Sequence, residues 1–401
     1  MITAEEATRL ILAHPAQWGN MEVSLSNALG QVLAAPIRAD RDFPPFTRVS
    51  MDGIAIDFDS FARGQRLYPI QGTQAAGMPP LRLETPGKCI EVMTGAILPD
   101  GTDTVIRYED LDIQGGEARI AIDDIRKGQN AHLRGIDRLK GDEIVPSGVR
   151  IGPAEIGVAA TVGMTTLHVK KRPRIVVIAT GDELVPVNAQ PEPFQIRTSN
   201  IYALQGLFRS WQLEADLLHI IDTRTEIVEK LGACLKEYDV LVLSGGVSAG
   251  KFDFIPAVLN ELGVEQVFHK VQQRPGKPFW FGVAPGKTVF ALPGNPVSSF
   301  VGAIRYVQPW LRAQLGLPAR QPLYAVLEED FTFSPSLTYF LQVKLRSTPD
   351  GRLSAQPESG KGSGDLANLT QADGFLELPK DQKEFAAGSS YPLWLYRPLS
   401  L

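Results

Sequence analysis

The sequence of 401 residues predicts a multidomain α/β and β protein. Its centre is an α/β three-layer sandwich, flanked by an elongated arm, a small β domain and a C-terminal β-barrel-like domain. Three observations carry that prediction. "RIVVIAT" (174–180) is apolar and β-branched without alternation, as expected of a parallel strand covered on both faces. After it, helical and extended segments alternate in the rhythm of right-handed βαβ units. On either side, short β-like runs are separated by glycine and proline turns. Single cores rarely grow past about 250–300 residues, so a chain of this length divides.

Taken in order, "TAEEATRLILA" (3–13) has a helical apolar period with acids in its first turn, which suits the positive end of a helix. "VSLSNALGQVLAAPIRA" leads to Pro44 and Pro45, a boundary. Residues 46–130 carry "KCIEVM" and "TDTVIRYE" and read as the small, mostly β domain. Residues 131–170 read as strands and a short helix that rejoin residues 1–45 to form the arm. Residues 171–317 alternate helical "SNIYALQGLFRSW", extended "LEADLLHII", helical "TEIVEKLGACLKEY", extended "DVLVLSGG" and helical "FIPAVLNELG". The long helix "VSSFVGAIRYVQPWLRAQLG" closes that domain. Residues 318–401, with "YFLQVKLR" and "GFLELP", form the C-terminal β domain.

Composition narrows the function. With 44% hydrophobic and 21% charged residues, the chain has the make-up of a folded soluble protein. A net charge of −5 offers no broad basic field for nucleic acid or an anionic membrane, so any anion site is a local cluster. Two cysteines, Cys89 and Cys234, exclude a disulfide framework and fit a reducing compartment. No leader pattern or membrane-length apolar run is visible, and the expected location is cytoplasmic.

The chemistry concentrates in four strand-end motifs. "SGGVSAGKFD" (244–253) has Gly245, Gly250 and Lys251 at P-loop spacing, but Phe252 stands where a P-loop needs a magnesium-binding hydroxyl. A triphosphatase is therefore excluded. Gly245, Gly246 and Gly250 would let backbone amides approach a phosphate. Asp253 would be a carboxylate for a hard cation bridging to that phosphate, or only the cap of the next helix. "ATGDEL" (179–184) follows the first strand, and ligands of open α/β sheets sit at such carboxyl ends. That places Asp182 and Glu183 near Asp253, unless either serves as a cap or surface acid. "QRPGKPFWFG" puts Arg274 and Lys277 around a Pro-Gly turn, an anion clamp or a solvated turn. "ALPGNPVSSF" presents Gly294, Asn295 and Ser298 as another polar cup, or its prolines simply break structure.

The order of these motifs closely resembles the molybdopterin molybdenumtransferase family, represented by MoeA and the gephyrin E domain. "SMDGIA" (50–55), "MTGAILPDGTDTVIRYE" (93–109), "RGIDRLKGD" (134–142) and "GSGDLANLTQADGFLELP" (362–379) extend the resemblance over nearly the whole chain. It implies a homodimer of elongated four-domain subunits with the arm in dimerisation and a molybdopterin-binding α/β domain. The active cleft would be shared between subunits. The implied reaction inserts molybdate into adenylylated molybdopterin, with Mg2+ or another divalent cation, and releases AMP and molybdenum cofactor. The upstream adenylyltransferase and molybdoenzyme chaperones are further implied partners.

By matching positions, Asp253 and Glu183 hold the metal, Asp52 is a catalytic acid reaching across the dimer, and Lys277 and Arg274 bind molybdate or phosphate. Gly245, Gly246 and Ser248 face the pterin phosphate, Asn295 and Ser298 complete the anion cup, Asp137 and Thr94 belong to the cleft surface, and Ser363 touches molybdate. Without the resemblance, Asp52 reads as a turn residue bonding its own backbone. The chain departs from the family pattern at Lys251, where an acid is usual, and at Arg274, where lysine is usual. His132 and Arg197 also differ. Three rivals remain: a molybdopterin adenylyltransferase-type enzyme, against which the "SMDG" and C-terminal domains argue; a non-catalytic scaffold, which would not need Asp52, Glu183 and Asp253; and hydrolysis of sugar or nucleotide phosphates at the same metal site as a side activity.

Overall fold

A computed structural model describes residues 1–247, 254–358, 360 and 362–398. The central sheet has six strands in the order Asp216–Ile220, Ile175–Thr180, Val240–Ser244, Lys287–Leu292, Trp280–Ala284, Glu265–His269. The first four are parallel and the last two antiparallel. Side chains of successive strand residues point to opposite faces, and here both faces are cores. Ile175, Val177 and Ala179 enter one hydrophobic cluster, while Val176 and Ile178 enter the other. That two-sided burial is why "RIVVIAT" shows no polar alternation. Helices Asn200–Ser210, Arg224–Glu237 and Ile255–Glu261, and the helical run 296–314, cover the sheet.

Helix Ala4–Leu12 is capped by Thr3, whose hydroxyl accepts from the Glu6 N–H at 3.1 Å. Its buried Ala4, Ala7 and Ile11 pack into the same cluster as Trp310 and Phe290 of the α/β domain. Beyond it, strand Asn20–Ser24 pairs with Thr166–Lys170 and Ile37–Arg38 with Glu143–Val145, so chain segments over a hundred residues apart lie side by side. Between them, six strands from Gly53–Ile56 to Glu117–Ile120 form a separate mixed sheet, closed over Ile54, Tyr68, Cys89 and Ile106. Gly53 is required there, because a Cβ would stand 1.8 Å from the Ile106 carbonyl oxygen. Both cysteines are buried and unbridged. Burial pushes the Cys89 thiol up to about 12 and the Cys234 thiol to about 11, so neither is a nucleophile at neutral pH.

In the C-terminal region, strands Thr338–Ser347, Leu353–Pro357, Leu323–Leu327, Ser390–Leu395 and Gly374–Leu378 pair in that order, and the last returns to the first. Five strands therefore close a barrel, as the sequence predicts. The barrel is fastened to the α/β domain by Arg305, whose side chain is only 8% exposed and pairs with Glu377 at 2.9 Å. Arg305 also donates to Thr8 at 2.8 Å and lies 4.6 Å from the Trp394 ring. No helix of the described residues is long and apolar enough to cross a membrane.

Candidate functional site

Three loops meet above the carboxyl ends of the parallel strands. The first follows Ile175–Thr180, where Gly181 is so close to Glu183 that a Cβ would stand 2.6 Å from its carboxylate. Glu183 thus lies folded back over the strand end. Asp182 accepts from the Asp222 N–H at 2.8 Å, a loop-capping duty. The second loop follows Val240–Ser244. A Cβ on Gly245 would meet the Thr180 carbonyl oxygen at 2.8 Å, and φ is +114° there, so glycine is needed for two strand ends to touch. The Gly245 N–H is already given to the Leu292 carbonyl at 3.0 Å. Gly245 therefore shapes the site through its missing side chain, not through its amide. Next to Gly245 and Gly246, the Thr180 hydroxyl is buried with no hydrogen-bond partner among the described residues.

The third loop, Pro293 to Pro296, lies against the second, with the Gly294 Cβ position 3.6 Å from Gly245 Cα. Asn200 locks the two together, donating to Ser244 Oγ at 3.1 Å and to the Gly294 carbonyl at 2.6 Å. Asn295 donates to Ser363 Oγ at 2.9 Å, and the Val297 N–H donates to the Ser363 carbonyl at 3.1 Å. A residue from the C-terminal region is thereby fixed to the loop of the central sheet.

The cationic turn is held from both sides. Gln273–Arg274 adds as a parallel strand to the barrel strand Thr338–Ser347, pairing Arg274 with Tyr339. Buried Gln273 donates to the Pro275 carbonyl at 3.1 Å and accepts from the Tyr306 hydroxyl. A cavity of about 650 Å³ opens between the α/β domain and the barrel, and Arg274, Lys277, Asn295, Ser298 and Ser363 all line it. A volume of that size suits a small-molecule ligand. Burial raises the Tyr339 phenol above its ordinary value, with the Arg274 charge pulling the other way.

Sequence reasoning missed Tyr339, Gln342 and Glu358, which also line the cavity. Gln342 carries a buried side-chain amide oxygen with no hydrogen-bond partner among the described residues, and its signal was a lone amide in the strand "YFLQVKLR". The Thr180 hydroxyl was missed too, since a threonine that ends a β-branched run looks like one more strand former.

The remaining expected residues sit elsewhere. Asp52 follows strand Arg48–Val49 and accepts from the Thr94 N–H at 2.6 Å. That bond holds the exposed Asp52 carboxyl below its ordinary range. Asp137 lies 3.1 Å from His132. Among the described residues, no hydrogen bond or ion pair joins Asp52, Thr94 or Asp137 to the sheet-end loops of the same chain. Ser248, Lys251 and Asp253 lie outside the described residues.

Comparison with known proteins agrees with this arrangement. Residues 2–163 match the MoeA N-terminal region (domain I and II), 176–313 the probable molybdopterin binding domain, and 324–396 the MoeA C-terminal region (domain IV). A molybdopterin molybdenumtransferase of Synechocystis sp. is 40% identical over 400 residues, covering 99% of this chain and 100% of that one. One from Staphylococcus epidermidis is 30% identical over 395 residues, covering 97% and 94%. The crystal structure of a molybdopterin biosynthesis MoeA protein from Pyrococcus horikoshii superposes with a TM-score of 0.86 at 30% identity, covering 99% and 100%. With matching models along its length and full-length relatives of the same kind, the chain belongs to the molybdopterin molybdenumtransferase family.

Proposed function

We propose that this transferase of molybdenum cofactor biosynthesis takes adenylylated molybdopterin and molybdate, cleaves the phosphoanhydride and releases AMP and molybdenum cofactor. The observation that carries the reading is the junction cavity with two cations and three polar side chains from separate loops. Arg274 offers a planar fork and Lys277 a point charge, a pair suited to tetrahedral oxyanions in an otherwise acidic protein. Because Ser363 Oγ accepts from Asn295, its own O–H is left to donate to an anion. Gly245 and Gly294 keep the floor of the site thin enough for a substrate phosphate to approach the strand ends.

A divalent ion fits this donor set if it is of the magnesium type. Among the described residues no three His, Cys, Asp or Glu side chains gather to hold a metal. Magnesium keeps several waters and takes only one or two carboxylates besides substrate phosphates. Glu183 would supply one such carboxylate and Asp253 the other. When bound, the ion would neutralise charge developing on the phosphoanhydride. Lys277 and Arg274 hold the anions in line, and the packed loops exclude water around them.

Asp52 completes the site from the second subunit of a homodimer. Two exposed apolar strips support that arrangement: Leu133, Ile136 and Leu139, each 55–60% exposed around Asp137, and Val187, Phe194 and Ile196, 46–75% exposed beside the Glu183 loop. Burying one strip against the other removes both from water and brings the Asp137 surface toward Glu183. The arm limits, residues 1–45 with 131–170, follow the same reading.

The test is to supply the purified protein with adenylylated molybdopterin, Mg2+ and molybdate and to assay AMP and active cofactor. Stoichiometric release of both is expected. AMP-free turnover, or none with either substrate, would refute the reaction.

A further inference from the structure

We propose that the junction between the strand-paired arm and the α/β domain carries a second oxyanion site, outside the cleft, that takes free phosphate or a small phosphate ester. A cavity of about 220 Å³ lies there, with Arg150, Trp211, Gln212, Arg312 and Leu315 in its wall. A narrower recess continues past Arg150 to Lys170 and Arg172. Four cations therefore gather from distant parts of the sequence. Lys170 ends strand Thr166–Lys170, Arg172 lies in the link to the central sheet, and Arg312 belongs to helix Gln308–Gln314.

Such a gathering is costly without a counter-charge. None of the four takes part in an ion pair among the described residues. Arg150 donates to the Gly30 carbonyl at 2.9 Å and Arg312 Nη2 to the Pro318 carbonyl at 3.3 Å. These bonds orient both guanidinium planes and leave further N–H groups unspent. The Arg312 Nε is buried with no partner among the described residues, which costs the full desolvation of that donor until an acceptor arrives. Burial first, and then the charges of Arg312 and Arg172, push the Arg150 guanidinium below its ordinary value. Burial does the same to Arg172, against a pull from Glu214, whose carboxylate is 3.4 Å from Arg209.

The ligand class follows from size and wall chemistry. Drug-sized ligands occupy roughly 300–1,000 Å³, so this cavity is too small for a nucleotide or a pterin. Guanidinium forks match tetrahedral oxyanions in pairs of N–H···O bonds, and Trp211 with Leu315 leaves an apolar wall for a short carbon body.

Calorimetric titration with inorganic phosphate tests the site on the full-length Lys277→Ala chain, whose cleft clamp is weakened. One phosphate is expected to bind, with affinity falling at least tenfold when Arg312→Gln or Arg150→Gln is added. In phosphate-free, low-salt buffer, the added Arg312→Gln change is expected to leave Tm equal or higher, since it removes a repelling charge. Repeating the titration with glycerol phosphate separates the sources: tighter binding assigns the ester, weaker binding the free anion. Phosphate binding unchanged by both arginine substitutions would overturn the site. So would a loss of binding that appears only with dissociation of the dimer in sedimentation, which would make the cluster a subunit contact.

Discussion

The sheet-end loops and the Asp52 turn hold their polar groups in opposite ways. Above the central sheet, polar side chains are tied to neighbouring loops: Asn295 to Ser363, Gln273 to Pro275 and Tyr306, Asn200 to two strand ends. Asp52 is exposed and receives one backbone N–H from Thr94. The first region is organised before any substrate arrives and can be read from one chain. The second offers an acid whose use depends on what is brought against it, which is the behaviour expected of a residue lent to a neighbouring subunit.

The widest separation between the two is expected from Asp52→Asn, which should lower AMP release by about 10³-fold if the carboxyl is an acid–base group. Melting should stay close to that of the unaltered chain. Mixing this chain with Lys277→Ala chains should restore part of the activity, because one of the two clefts in a heterodimer is then intact. Absence of any recovery in the mixture would mean that both residues serve the same subunit. Lys277→Ala alone should cost about 10²-fold, and raising molybdate should recover more of it than raising the pterin substrate.

On the rigid side, Gly245→Ala should lose about 1–3 kcal/mol of stability, because the new methyl meets the Thr180 carbonyl; denaturant unfolding reads it. An unchanged midpoint would show that the two strand ends can separate freely. The smallest effect concerns pH. The Thr94 N–H lowers the folded Asp52 pKa below its unfolded value of about 3.8. Its stabilising contribution is therefore complete above that value and lost as pH falls through the lower folded pKa. The melting difference between the unaltered and Asp52→Asn chains should vanish across that acidic window, and a difference that grows toward low pH would contradict the Thr94 contact.

How far the sequence could be read depended on the range of the contacts. Local patterns were clear: the unbroken apolar run at 175–180 announced a sheet covered twice, and the Gly-Pro motifs marked strand ends. The pairing of Gln273–Arg274 with strand Thr338–Ser347 joins segments tens of residues apart, and no periodicity reports a partner at that distance. The antiparallel edge strand Glu265–His269 was passed over for a related reason, since the polar "EQVFH" lacks the apolar run of the inner strands. Gly245 shows a subtler limit. Its glycine identity pointed to an anion loop, but whether its N–H faces a ligand or the Leu292 carbonyl is set by the neighbouring strand.

The pairing of Arg274 with a barrel strand bears on how this enzyme can be dissected. An excised fragment ending near residue 317 would keep the whole central sheet and its covering helices, yet the guanidinium would have lost the ladder that aims it. Such a truncated piece should still fold around its own cores while gripping oxyanions poorly, so the barrel acts as a brace for chemistry performed by its neighbour.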